Sequence, residues 1–317
     1  MTDAQQTLII GVDGGGTKTT ARVASIAADG SINTLGTGFG GPSNVRAVGT
    51  VHARTNLDVA VDAAHEVAGT ASQKVRKAIL GLAGSSLPDV QAVIRDWAER
   101  RALAEQIDIV HDAELLLALG VRAGCGIGLV VGTGSVAVGI NAAGERAVIG
   151  GWGHWFGDQG SGFDTGRRGL SAVADAVDGI GPPTALVAGL TRRLQIDDPR
   201  EITRQLGRSV DIRQEIAALA PVVMQAAIDG DAVAVALIDN GAKATAALVA
   251  ATVRKLGLSD RVPLAMAGGI ACSGDFYRDK LLSQLGAQGI KPHPLTVVSE
   301  PVEGALVMAR DQIRSGS

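Results

Sequence analysis

The chain has only two cysteines in 317 residues, Cys125 and Cys272, and neither belongs to a C-x-x-C pair. Two isolated thiols give no disulfide framework and no zinc-type ligand spacing. Charge of one sign is also missing: 29 basic residues face 32 acidic ones, for a net of −3. Without a basic field to collect polyanions, nucleic acid is excluded as an expected partner. No window offers the roughly 18 continuous apolar residues of a membrane-spanning helix, so no membrane partner is expected. The start, MTDAQQTLIIGVDGG, has neither a basic leader region nor a long apolar stretch. The expected setting is therefore cytoplasmic, with reduced thiols. Aromatic residues make up only 3% of the chain, which makes the cluster Trp152, Trp155 and Phe156 conspicuous.

What the chain has in quantity is glycine, 43 residues, gathered at the ends of apolar runs rather than spread through linkers. Glycine there lets the backbone turn tightly or approach a ligand closely. The first segment reads TLIIGVDGG, GTK, TTARVASI, AADG and SINTLGTG, the pattern of three antiparallel strands joined by turns. The pattern returns near residue 127 as IGLVV, GTG, SVAVGI, NAAG and ERAVIGG. Building one three-strand unit twice points to two related domains, as the length also allows at roughly 100–200 residues each.

Between and after these units, strands alternate with helices, which implies parallel extension of each sheet. A helix is expected over 51–69, with Val51, Leu57, Val61, Ala64 and Ala68 on its apolar face. KAILGLAG reads as a buried strand, Pro88 starts a helix, QIDIVHDA is a strand, and AELLLALG is a helix. Residues 164–257 read as helix-rich. VPLAMAGGIACSGDFYRDKLLSQL then reads strand, Gly-Gly turn and helix. A boundary near 112–118 divides the chain into 1–115 and 116–317, with a last helix, about 302–314, able to pack back on the first domain.

Asp13-Gly14-Gly15-Gly16-Thr17-Lys18 joins two expected strands and does not match a Walker P-loop. Successive glycines can turn their N–H groups into one anion-binding concavity, to which Thr17 adds a hydroxyl and Lys18 a charge. Lys18 is equally readable as a solvated surface residue. Asp13, at the strand end, suits Mg²⁺, which prefers oxygen ligands and keeps several waters. Gly132-Thr133-Gly134-Ser135 occupies the matching turn of the second unit. The two turns are expected to clamp a polyphosphate together. Gly268-Gly269 either gives a flat adenine or ribose close backbone approach or is a structural turn.

Asp112 ends the run QIDIV, where it reads either as a carboxylate base or as the cap of the following helix. Asp158 lies in G-D-Q-G-S-G and reads as a ligand or as turn chemistry. His111 and His154 lack metal-ligand spacing and receive no catalytic role. Trp152, Trp155 and Phe156 either wall a pocket or pack in the core.

The series D-G-G-G-T-K, H-D-A, G-T-G-S, G-G-W-G-H-W-F-G-D-Q-G-S-G and A-G-G resembles the N-acetylglucosamine kinase and BadF/BcrA-type ATPase group of the sugar kinase, Hsp70 and actin superfamily. The resemblance spans the chain in order. It implies an α/β fold of two ribonuclease-H-like (actin-like ATPase) domains with an interdomain nucleotide cleft, closure on the substrate, and a homodimer. It implies ATP and Mg²⁺ as cofactors, with Asp13 assisting the metal and Gly14, Gly15, Gly16, Thr17, Lys18, Gly132, Thr133, Gly134, Gly268 and Gly269 serving the nucleotide. It further implies Asp112 as catalytic base and sugar ligand, with Asn44, Ser135 and Asp158 on the sugar. The activity implied is phosphorylation of an amino sugar, N-acetylglucosamine or glucosamine, at the 6-hydroxyl. The same group contains ATPases that activate a partner reductase through an iron–sulfur cluster ligated by cysteines at a dimer interface, and Cys125 and Cys272 are not obviously placed for that. Two residues depart from the pattern: Gln159 where many relatives have Glu, and Val136 where some have a polar residue.

Overall fold

The computed structural model describes residues 7–71, 73–121 and 124–316. It divides into two compact units, Met1–Arg122 with Glu300–Ser317, and Ala123–Ser299. Each unit holds one five-stranded sheet.

The first unit opens with β1 (Thr7–Gly14), β2 (Thr19–Ile26) and β3 (Ile32–Gly40), an antiparallel run. Helix α1 (Val45–Ala68) follows, then β4 (Lys77–Leu82), α2 (Pro88–Arg100), β5 (Gln106–His111) and α3 (Asp112–Gly120). The strand order is β3-β2-β1-β4-β5, with β4 and β5 parallel to β1. Alternation along β1 decides which helices lie where, since successive side chains point to opposite faces. Leu8, Ile10 and Val12 share a core with Leu57, Val61, Ile94 and Trp97 of α1 and α2. Ile9 shares the other core with Leu115 of α3 and with Ala305, Leu306 and Ala309. The last three belong to the C-terminal helix of the chain, Val302–Ser315. Its Gly304 has no room for a side chain, because a Cβ there would lie 2.0 Å from Leu115 O. Arg22 on β2 pairs with Glu300 at 2.8 Å and Glu303 at 3.2 Å, tying down the same helix end.

Helix α1 departs from the sequence pattern. It starts at the Asn44 cap and is kinked at Gly49, whose φ is +78°. Past the kink the helix is continuous, and Val51, six residues before Leu57, lies about 120° round it from the face that buries Ala53, Leu57, Ala60, Val61 and Ala64, so it is exposed.

The second unit repeats the plan with β6 (Gly126–Val131), β7 (Ser135–Ile140) and β8 (Arg146–Gly150), again antiparallel. The helical region holds α4 (Gly162–Val177), α5 (Leu186–Leu194), α6 (Ile202–Leu206), α7 (Ile212–Ala217), α8 (Ala220–Ile228) and α9 (Ala232–Leu256). Then come β9 (Leu264–Ala267), α10 (Asp275–Gly286) and β10 (Leu295–Val297), before the C-terminal helix, α11. The order β10-β9-β6-β7-β8, with β9 parallel to β6 and β10 parallel to β9, matches that of the first sheet read from its other edge. One core joins β6, α4, α5, α8, α9 and α10 through residues such as Leu129, Val173, Leu190, Val223, Val249 and Leu281. Helix α9 is long and apolar enough to cross a membrane. Its buried residues nevertheless pack in this core, and Thr245 Oγ1 meets the buried Tyr277 hydroxyl of α10 at 2.8 Å.

Candidate functional site

In the first unit, Asp13 and Gly14 end β1, and the chain turns through Gly15–Lys18 into β2. Gly14 is glycine because of packing: a Cβ there would lie 2.2 Å from Ser43 Oγ and 2.5 Å from Leu82 Cδ2. Gly15 N–H donates to Lys18 O at 3.0 Å, and Gly15 O accepts from Ser43 and Asn44 N–H at 3.1 and 3.3 Å. Those two glycines therefore serve the turn itself. Thr17 and Lys18 are exposed at the turn. Beneath it, Thr19 Oγ1 donates to Gly41 O at 2.7 Å and lies 2.8 Å from Ser43 Oγ. This fastens the G-G-P-S-N segment against the turn. Asn44 caps α1 by accepting from Arg46 N–H at 3.1 Å.

Asp13 is only partly open to solvent, and no hydrogen bond among the described residues reaches its carboxylate. Burial, reinforced by the Asp112 charge and opposed by Lys18, pushes its pKa up to about 7. A carboxylate held beside a second carboxylate, in a place that disfavours its charge, is one that a cation would relieve.

Asp112 lies where β5 passes into α3, at the carboxyl end of a parallel strand, where ligands of open α/β sheets bind. The sequence left it as cap or base. The cap position falls instead to His111, and Asp112 is the first helical residue. Asp112 Oδ1 accepts from Ala113 N–H at 2.9 Å and lies 2.7 Å from His111 Nδ1. His111 Nδ1 is also 3.3 Å from Ala113 N, but it cannot accept that hydrogen while donating its own to Asp112. The shorter contact decides in favour of Nδ1–H donating to Asp112, which leaves Ala113 N–H to Oδ1. Burial works against charge on His111, but the Asp112 carboxylate, joined by the Glu114 charge, outweighs it and raises the imidazole pKa above its ordinary value. Asp112 is thus anchored through Oδ1, and no described hydrogen bond reaches Oδ2.

In the second unit, Gly132-Thr133-Gly134 joins β6 to β7. The carbonyls of Gly132 and Thr133 accept from the N–H groups of Gly162 and Phe163 at 2.7 and 3.3 Å, so the turn is locked to the start of α4. Ser161 caps that helix by accepting from Asp164 N–H at 3.3 Å. Asp158 folds back over the turn, and its Oδ1 accepts from Ser135 N–H at 3.1 Å. Gly134 leaves it room, since a Cβ there would meet Asp158 Oδ1 at 2.8 Å. Ser135 Oγ donates to Gln159 O at 3.0 Å. Gly268 joins the same cluster: with φ +104°, a Cβ would lie 2.5 Å from the Val131 carbonyl. Gly269 faces open space.

The first unit therefore gathers Asp13, the Gly15–Lys18 turn, Asn44 and Asp112. The second gathers Gly132–Ser135, Asp158 and Gly268. Sequence reasoning named His111 without giving it a role and did not single out Arg213. His111 follows from the capping geometry of α3, and Arg213, on α7, donates through Nη2 to Asp158 Oδ2 at 3.0 Å. Trp152, Trp155 and Phe156 are 72%, 81% and 83% exposed, which overturns the core-packing alternative for them. Among the described residues no group of three or more His, Cys, Asp or Glu could hold a metal ion by itself. Mg²⁺ does not need one: it binds through one or two carboxylates plus substrate phosphates and waters, which Asp13 fits.

The model of the BadF/BadG/BcrA/BcrD ATPase family matches residues 10–309. The chain is 28% identical over 305 residues to the N-acetylmuramic acid/N-acetylglucosamine kinase of Clostridium acetobutylicum, covering 96% of this chain and 98% of that one. It is 28% identical over 320 residues to the N-acetyl-D-glucosamine kinase of Dictyostelium discoideum, covering 95% and 97%. The crystal structure of a candidate N-acetylglucosamine kinase from Chromobacterium violaceum superposes with a TM-score of 0.72 at 27% identity, covering 96% of this chain and 99% of that one.

Proposed function

The chain belongs to the BadF/BadG/BcrA/BcrD ATPase family, with the two-domain actin-like ATPase fold, and on that premise we propose that it is an ATP-dependent sugar kinase. Its substrate is an amino sugar, N-acetylglucosamine or glucosamine, and the γ-phosphoryl group of ATP goes to the 6-hydroxyl. The observation that carries this reading is the Asp112 carboxylate, fixed through Oδ1 with Oδ2 left to accept a proton. A sugar hydroxyl is a poor nucleophile, and phosphoryl transfer otherwise needs positioning and charge stabilisation more than covalent chemistry. Asp112 Oδ2 takes the proton of the 6-hydroxyl, the O6–Pγ bond forms, and the bond from Pγ to the β–γ bridging oxygen breaks to release ADP.

The remaining chain groups hold the reactants. The amides from Gly16 onward and the Gly132–Gly134 turn bind phosphate oxygens, with Lys18 adding charge. Asn44, Ser135 and Asp158 accept or donate to sugar hydroxyls. Asp13 would hold Mg²⁺, which neutralises phosphate charge when bound. Whole-length similarity to two sugar kinases favours this reading over an ATPase that activates a reductase.

The test is ADP release over N-acetylglucosamine, glucosamine, N-acetylmannosamine, N-acetylmuramic acid and glucose, with and without Mg²⁺. Product NMR would locate the phosphate. Turnover on an amino sugar that EDTA abolishes is expected, and silence on all five sugars would end the kinase reading.

A further inference from the structure

Three costs of folding coincide at Asp158. Its φ is +60°, in the left-handed region that non-glycine residues rarely enter. Its carboxylate is a charge in a residue only 4% exposed. The Arg213 guanidinium that neutralises it has a buried Nε–H with no hydrogen-bond partner among the described residues. Each of these ordinarily works against the fold. Such features persist where the surroundings over-determine them and tend to gather at functional sites.

The bonding of Asp158 explains what they achieve. Ser135 N–H holds Oδ1 at 3.1 Å, and Arg213 Nη2 holds Oδ2 at 3.0 Å. One lone pair on each oxygen is used, the carboxylate plane is fixed, and the second lone pair of each oxygen remains. Among the described residues Arg213 is the one cation paired with Asp158, and its side chain is 20% exposed. It comes from α7, 55 residues further along the chain, and α7 lies against α4, whose N-terminus is locked to the Gly132–Gly134 turn. The ion pair with Asp158 is what holds the Arg213 guanidinium here.

We propose that Arg213 is a positioning residue for sugar binding: it fixes and neutralises the Asp158 carboxylate so that both oxygens can receive hydroxyls of the incoming sugar. The inference rests on the kinase reading above, with Asp158 as a sugar ligand. Losing a charge-assisted anchor should weaken sugar binding while leaving nucleotide binding largely alone. Steady-state kinetics on wild type, Arg213→Ala, Arg213→Lys, Asp158→Asn and the double variant Arg213→Ala/Asp158→Asn test this. Arg213→Ala should raise the sugar KM by about 10- to 100-fold, as expected for a hydrogen bond to a charged group. The KM for ATP should stay within about threefold, and Arg213→Lys, which keeps the charge, should recover part of the loss. Because Arg213 acts only through Asp158, the double variant should be no worse than Asp158→Asn.

A rise in both KM values together, or additive losses in the double variant, would reduce Arg213 to a structural residue and overturn the proposal. An unchanged sugar KM in Asp158→Asn would overturn it as well, while leaving the kinase reading intact. Absence of sugar phosphorylation by the wild type would instead remove the kinase reading and the proposal together. If Arg213→Ala fails to fold, Arg213→Gln, which keeps a donor but not the charge, gives the same KM comparison.

Discussion

Replacing Asp13 by Asn should make the ligand-free protein more stable while making it a poorer enzyme, and the stability gain should depend on pH. The carboxyl titrates at about 7 in the folded chain against 3.8 for the ordinary side chain, through burial first and Asp112 second. A group whose folded pKa is raised gives stability that is present below pH 3.8 and is lost as pH rises through 7. Between those values the unfolded chain holds the charge and the folded one does not, so stability falls with rising pH; above 7 the penalty is constant. A rise of about three units corresponds to about 4 kcal/mol at 1.4 kcal/mol per unit, and partial solvent access brings that to about 2–4 kcal/mol. Asparagine has the same shape, carries no charge, and forfeits no described hydrogen bond. Calorimetric melts of both proteins in EDTA, without nucleotide, from pH 5 to 8.5, should place the variant roughly 5–10 °C higher at pH 8. The gap should shrink as pH falls towards 5. Turnover in Mg²⁺ and ATP should move the other way, a stability–activity trade-off at a ligand site. A variant no more stable than wild type at pH 8, or a gap independent of pH, would refute the account of Asp13.

Asp112→Asn should lower kcat by about 10²-fold or more with nucleotide affinity retained, measured by ADP release and by nucleotide titration. His111→Asn should soften the hold on Asp112 Oδ1. The wild type loses its imidazolium as pH rises through the raised His111 pKa, so the kcat ratio of wild type to variant should be largest at low pH and narrow above that range. A ratio independent of pH would mean that the imidazolium does not matter. Gly268→Ala should cost about 2 kcal/mol or more in urea titration, because φ is +104° and the new Cβ would lie 2.5 Å from the Val131 carbonyl. Gly269→Ala meets nothing within 4 Å and should stay within about 0.5 kcal/mol, so a raised ATP KM in that variant would report on the nucleotide alone.

The parts of this chain that could be read from sequence are those where one local requirement fixes the residue type. Glycine runs closing β-branched segments located β1, β2, β6 and β7, and the repeated pattern corresponds to two sheets with the same strand order. Asp13 and Asp112 were readable because each ends an apolar strand, where a carboxylate has no reason to be unless something binds it or a helix begins. The start of α1 at Asn44 and its left-handed break at Gly49 were not readable, and Val51 was misplaced because a six-residue step carries it about 120° round the helix from Leu57. Strand β10, three residues long, carries too little pattern to separate from a loop. The roles of the three GGG amides were equally hidden, because Gly14 answers to Ser43 and Leu82, and Gly15 to Lys18, Ser43 and Asn44. Arg213 shows the general limit most sharply. Its sequence neighbourhood, DIRQEIAAL, is a short helix, and nothing in it refers to Asp158. Its role arises only when α7 packs on α4 and brings a cation to a carboxylate that the Gly134 turn has already folded inward. A local pattern can announce a phosphate turn or a base, but the partner that fixes a ligand's orientation is chosen by tertiary packing, and so it is found by asking which buried charge each sequence-identified carboxylate must have.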